Sequence, residues 1–243
     1  MLYLHTMRYF LYSSFLIIIP ITIGTSFVSA QDVGFTNKSD AKNEFKNKLK
    51  EGKWMEDMDT NGGPHIVSNT SSSFYRLAVY KAGKEWGTVR AYYDNGKLFA
   101  EMPYINGKKS GMVKCYYQSG KLMSEGTCTN GENNGTVKSY YENGKLKGER
   151  LFSNGKASGL SKEYYENGTV KTEIPYANGT INGMVKGYYE HGKLKSETPY
   201  TRDLKLGMMR VYYENGGLKC KKLFANDKCE YTVNFDSNGN EVK

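Results

Sequence analysis

"GTVKSYYENGKLKGERLFSNGKAS", residues 135–158, holds two Asn-Gly-Lys triplets, a Tyr-Tyr pair and two short runs rich in β-branched, aromatic and aliphatic residues. The phrase recurs. Gly87, Gly111, Gly135, Gly159, Gly183 and Gly207 open six copies at a constant step of 24 residues. The Tyr-Tyr pairs (Tyr92-Tyr93 through Tyr212-Tyr213) and the turn glycines (Gly96 through Gly216) keep the same step without an insertion. A fixed period in this range marks a repeat architecture, in which each unit cannot bury itself alone and stacks on its neighbours.

We number each unit from its opening glycine as position 1. Positions 2–7 and 12–18 are strand-like, and an Asn-Gly pair separates them at positions 9–10. Two β-prone runs joined by Asn-Gly predict a hairpin closed by a two-residue type I′ turn, since that turn needs positive φ at both central residues. In that register position 4 faces position 15. Position 4 is basic throughout (Arg90, Lys114, Lys138, Lys162, Lys186, Arg210), and position 15 is acidic until the last copy (Glu101, Glu125, Glu149, Glu173, Glu197, then Lys221). Opposite charges across a strand pair stabilise it by up to ~1 kcal/mol each. The same register expects Val at 3, Tyr at 7, Leu at 12 and the residue at 18 on one face. A three-residue turn with a glycine bulge would shift pairing by one, set Val opposite Glu and exchange the faces; the two-residue turn is therefore expected.

The fold class expected is all-β: an elongated meander of stacked hairpins with a short N-terminal helical or loop segment. Residues 1–30 carry an apolar stretch around Phe15–Ile23 and end in Val28-Ser29-Ala30, the pattern of a secretory signal peptide. The chain is thus expected to be exported to the periplasm, the cell surface or the medium. Residues 31–73 read as a cap or linker, with a short helix expected over Asp40–Lys50, where Phe45 and Leu49 share a face. The repeat domain is expected over 74–243, as a half repeat at 74–86, six repeats at 87–230 and a C-terminal cap at 231–243 whose last phrase runs one residue out of phase.

Without Arg8 of the leader, 33 basic residues stand against 25 acidic ones, a formal charge of +8. These charges are spread by the repeat instead of gathering in a basic stripe, which argues against a nucleic-acid partner. The four cysteines lack CxxC spacing, and Cys115 and Cys128 fall about four residues apart in the hairpin register, too far for a bridge. "DMDTNGG" at 57–63 resembles half of a calcium loop, but Ser68 stands where the bidentate Glu is needed. No metal, no cofactor and no catalytic residues are expected: His5, His65 and His191 belong to no nucleophile–base pattern, and the repeated glutamates each face a base.

The surface offers tyrosine. The position-6 rings (Tyr92, Tyr116, Tyr140, Tyr164, Tyr188, Tyr212), beside Lys114, Lys138, Lys162 and Lys186, form the candidate binding surface. Tyrosine gives large contact area at low entropic cost, although rings in such a column also serve simply to cover strands.

"GMVKCYYQSGKLMSEG" and "GMVKGYYEHGKLKSETPY" resemble the variant MORN repeat, found in bacterial proteins grouped as YwqK-family antitoxins of toxin–antitoxin systems. The resemblance covers about residues 74–243. It implies an elongated hairpin stack, no catalytic residues, and protein–protein or sometimes membrane-lipid contact. The function expected is an exported, non-enzymatic scaffold for an unidentified protein or glycan partner. The alternatives are an immunity protein that neutralises a toxin and a module for anionic lipid.

Overall fold

The computed structural model describes residues 34–58 and 74–242. The leader at 1–30, the calcium-loop-like stretch completed by residues 59–63, His65 and the serine-rich loop at 68–73 lie outside the described residues.

The strands form one open antiparallel sheet. Its first five are β1 (Glu44–Lys46), β2 (Leu49–Met58), β3 (Phe74–Lys81), β4 (Lys84–Tyr93) and β5 (Leu98–Ile105), and each later unit repeats the β4–β5 hairpin, as in Gly135–Tyr140 with Leu146–Ser153. The helix expected over Asp40–Lys50 is absent. Lys38–Asp40 form a single 3₁₀ turn, and β1–β2 is a hairpin closed by Asn47 (φ 51°) and Lys48 (φ 64°). Phe45 and Leu49 do not share a face: Phe45 faces Lys50 and packs on Trp54 at 4.9 Å, whereas Leu49 faces Lys46 on the other side of the ribbon. Two aromatic or aliphatic residues four apart fit either a helix or a tight hairpin, and asparagine's tolerance of positive φ decides for the hairpin.

The charged columns meet as expected: Arg90 pairs with Glu101, Lys114 with Glu125, Lys138 with Glu149, Lys162 with Glu173, Lys186 with Glu197 and Arg210 with Lys221. The turn that produces this register is different from the expected one. Asn95 has no positive φ while Gly96 does (81°), Gly96 N donates to Tyr93 O at 2.9 Å, and Tyr93 N donates to Lys97 O at 2.9 Å. This is a three-residue loop with a glycine bulge, and it pairs Tyr92 with Leu98. A second irregularity then ejects Phe99, so that Ala91 already faces Ala100 and Arg90 faces Glu101. Every unit repeats the device, with Lys147 ejected in the third. The two competing registers are thus both present, one near the turn and one beyond the bulge.

The asparagine at position 9 has its own task. Asn143 Oδ1 accepts from Lys145 N at 3.0 Å, and Asn95 and Asn167 make the same bond to the residue two ahead, a local bridge that mimics a backbone turn. The type I′ turn appears at the second turn of each unit, which is Asn-Gly in the first four: Asn154 (φ 48°) and Gly155 (φ 75°) are both left-handed. These second turns stack, Gly155 N donating to Asn133 O at 2.9 Å and Gly179 N to Ala157 O at 2.8 Å.

The bulge also corrects the faces. Leu at position 12 lies with the position-6 tyrosine and not with Val and the residue at 18: Leu98 packs beside Tyr92, whereas Val89 and Tyr104 belong to a different cluster. One face carries positions 2, 4, 6, 12, 15 and 17; the other carries 3, 5, 7, 13, 14, 16 and 18.

Burial is concentrated at the N-terminal end. Trp54, Ala78, Tyr80, Val89, Ala91, Ala100, Met102 and Tyr104 form one cluster, and Phe35, Tyr75, Leu77 and Tyr92 form the other, with Phe35 reaching in from the segment ahead of the sheet. Arg76 holds this end together. Its guanidinium donates to Glu56 at 2.7 Å and to the Tyr80 hydroxyl at 3.0 Å, and Lys50 closes on the same Glu56 carboxylate. Past Tyr104 the buried apolar residues among those described are Cys128, Ala157 and Cys220. The rest of the repeat array is a single layer whose cohesion comes from hydrogen bonds and cross-strand rungs.

Candidate functional site

The tyrosine pair at positions 6 and 7 connects each unit to both neighbours. On the first face the position-6 hydroxyls reach back one unit to the position-15 carboxylate. Tyr116 donates to Glu101 at 3.0 Å, Tyr140 to Glu125 at 2.8 Å, Tyr164 to Glu149 at 2.7 Å, Tyr188 to Glu173 at 2.8 Å and Tyr212 to Glu197 at 3.0 Å. On the second face the position-7 hydroxyls reach forward to the next position-6 carbonyl. Tyr117 donates to Tyr140 O at 2.7 Å, Tyr141 to Tyr164 O at 2.6 Å and Tyr165 to Tyr188 O at 2.8 Å.

The first set explains its own electrostatics. Burial, then the hydrogen bond to the carboxylate and that carboxylate's charge, push the Tyr116, Tyr164 and Tyr188 hydroxyls up to about 12. Tyr140 and Tyr212 are raised for the same reasons. All act as donors at neutral pH.

The structure therefore brings the ten candidate residues onto one face, with qualifications. Tyr92 is buried beneath Phe35 and stacked on Tyr75 at 5.1 Å, so it is withdrawn from any external surface. The other five rings are half-buried, with their hydroxyls committed to glutamates. Because the glutamates accept from tyrosine, the lysines opposite them are less engaged than the sequence suggests. Lys162 stands 3.9 Å from Glu173, while among the described residues Lys114, Lys138 and Lys186 form no ion pair within 4.0 Å. These lysines stand on the surface beside the tyrosines.

The same face holds a strip that the sequence reading missed. Met112, Leu160 and Met184 at position 2 are 46%, 48% and 37% exposed, and Leu151 at position 17 is 43% exposed. Leu160 pairs with Pro175, Met184 with Pro199 and Met208 with Leu223, so apolar side chains run from the third unit to the sixth beside the lysine column. The signal was present as Met, Leu or Pro recurring at positions 2 and 17. It is hard to read because a strand alternation alone does not say which face is covered.

The opening glycines set the spacing of this strip. Gly183 has φ +127°, and a Cβ there would lie 3.0 Å from Pro175 Cγ; Gly111 and Gly207 sit against Pro103 and Pro199 in the same way. The cysteines stay apart: Cys115 faces Ser124, Cys128 faces Gly111, and all four thiols are free.

Among solved structures, the crystal structure of TcdB2-TccC3-Cdc42 matches 75% of this chain at 16% identity and a TM-score of 0.22, and that of TcdB2-TccC3-TEV matches 75% at 17% identity and 0.20. The match spans 11% of the length of either of those chains. No curated protein matches the sequence. The family described as MORN repeat variant matches residues 87–106, 109–130, 133–154, 157–178, 181–201 and 205–226, more than half of the chain and in step with the hairpins. The chain belongs to the MORN repeat variant family.

Proposed function

We propose that this chain is an exported, non-enzymatic scaffold that binds a protein partner through the face bearing positions 2, 4, 6 and 17. The observation that carries the reading is the Met/Leu/Pro strip along repeats three to six, exposed at Leu151, Leu160 and Met184 and flanked by Lys138, Lys162 and Lys186. Adjacent exposed apolar side chains favour a protein partner over a glycan, whose hydroxyl-rich surface would leave methionine and leucine unmatched. Methionine adapts its shape to the surface it meets. The lysines favour an acidic rim on that partner and suppress wrong ones. The apolar leader pattern at 1–30 supports the export part of the reading.

A photo-crosslinking amino acid at Leu160 or Met184, in the cells that make the protein, tests the binding face. One discrete protein adduct from these sites, and none from Lys171 on the opposite face, is expected. Adducts of equal yield from both faces would remove the strip from consideration. N-terminal sequencing of the mature protein tests export, with Gln31 as the expected first residue.

A further inference from the structure

On the opposite face, position 3 is valine in four units (Val89, Val113, Val137, Val185) and methionine in the last (Met209); in the fourth unit it is Ser161. Ser161 is 3% exposed, and its Oγ has no hydrogen-bond partner among the described residues. A buried hydroxyl left unpaired is destabilising, so an apolar column interrupted by one asks for a ligand.

The surroundings depart from the repeat at the same place. A groove of ≈ 280 Å³ opens between the third and fourth units, lined by Val137, Tyr141, Arg150, Phe152, Ser161 and Ile174 among others. Val137 is paired with Arg150 and Ser161 with Ile174, so the arginine and serine stand on neighbouring strands between two aliphatic walls. Gly148 removes a side chain at position 14, where a Cβ would come 3.3 Å from Ser139 Oγ. The guanidinium carbon of Arg150 lies 4.9 Å from the centre of the Tyr176 ring, a cation–π contact. Lys147 and Lys171 stand over Tyr141 and Tyr165 at 5.7 and 5.8 Å. None of these three cations forms an ion pair within 4.0 Å among the described residues. Of the two acids that line the groove, Glu163 is exposed and shares this face, whereas the Glu149 carboxylate accepts from Tyr164 on the other.

We propose that this groove is a binding site for a carboxylate on a small apolar or aromatic body. Arg150 supplies a planar pair of donors and Ser161 a third. Lys147 and Lys171 supply the attracting field, and the aliphatic and aromatic walls take the body of the ligand. A single fork, apolar walls and Glu163 at the rim fit a monoanion; a phosphate dianion would meet the glutamate's repulsion.

The test uses the full chain and 4-fluorobenzoate as probe, followed by fluorine NMR, with 4-fluorobenzamide as the uncharged control and trifluoroacetate as the minimal acid. Saturable binding of the acid and not of the amide is expected. Arg150→Met keeps a stem over Tyr176, and Ser161→Val installs the residue that four other units carry, so both variants should fold, and a thermal melt checks it. Each should weaken binding about tenfold or more, the equivalent of losing one charge-assisted hydrogen bond. Lys121→Met, at an exposed turn of the second unit, should leave it unchanged. Equal binding of the amide, absence of binding by both acids, displacement by inorganic phosphate at lower concentration than by acetate, or folded variants with undiminished affinity would each overturn the assignment.

Discussion

Tyr164→Phe removes one hydroxyl from the single-layered part of the sheet, where little burial competes with it. The lost bond is 2.7 Å long and ends on the Glu149 carboxylate. Hydrogen bonds to charged groups contribute roughly 1.5–3 kcal/mol, neutral ones roughly 0.5–1.5. The ring is half-exposed, so water replaces part of the loss, and we expect a destabilisation of about 1 kcal/mol. For a chain of this size that corresponds to a fall in Tm of about 2–4 °C. Tyr165→Phe breaks the neutral 2.8 Å bond to Tyr188 O and should cost less, about 0.5 kcal/mol. Urea unfolding followed by circular dichroism measures both. A double-mutant cycle of Tyr164→Phe with Glu149→Gln isolates the charged bond and should return a coupling of about 1 kcal/mol. Because units interact only with their neighbours, hydrogen exchange should speed up at the junction of the third and fourth units and not at the junction of the first and second. A coupling near zero, or a larger loss from Tyr165→Phe than from Tyr164→Phe, would refute the idea that charged tyrosine bonds tie the units together.

Three further outcomes are expected. The folded-state hydroxyls of Tyr116, Tyr164 and Tyr188 titrate near 12, above the ordinary value of 10.0, so folding favours their protonated form. Their contribution is complete below pH ~10 and lost as pH rises through ~12; tyrosinate absorbance should therefore rise together with unfolding in that window, and early ionisation of a still-folded chain would contradict it. Gly183→Ala forces a Cβ against Pro175 at φ +127°, and a loss of more than ~1 kcal/mol in urea unfolding is expected, larger than for Gly192→Ala, where φ is +89° but the space is open. Asn154→Gly sits in a type I′ turn that accepts glycine and should change stability by a few tenths of a kcal/mol, about 0.3. Asn143→Gly loses its bond to Lys145 N and should cost about 1 kcal/mol; equal effects at the two asparagines would mean that the two turns are alike.

The period, the hairpins and the pairing of Lys138 with Glu149 were legible because they follow from residue spacing and charge, which the linear chain displays directly. The first turn was not. Asn143-Gly144 and Asn154-Gly155 are the same dipeptide, yet only the second adopts the type I′ form. The difference lies in the strands they close, since ejecting Lys147 lets the tight charged register coexist with a longer loop. That bulge also moved Leu146 to the tyrosine face, an exchange that no alternation pattern announces. The N-terminal helix failed for a related reason: Asn47-Lys48 closes a hairpin whose first strand, Glu44–Lys46, is too short to show a period. At the candidate site the tyrosines and lysines were visible, but not that the glutamates would turn to tyrosine and release the lysines, because that choice depends on the distance between adjacent units.

The stacked second turns have a consequence for how this molecule can change length. Each hands one backbone bond to the turn before it, as Gly155 does to Asn133, and each tyrosine pair looks one unit back and one unit on. No bond among these spans two steps. The chain is thus a ruler graduated in hairpins, and excising or duplicating residues 135–158 would shorten or lengthen it by one graduation with every rung still finding its mate.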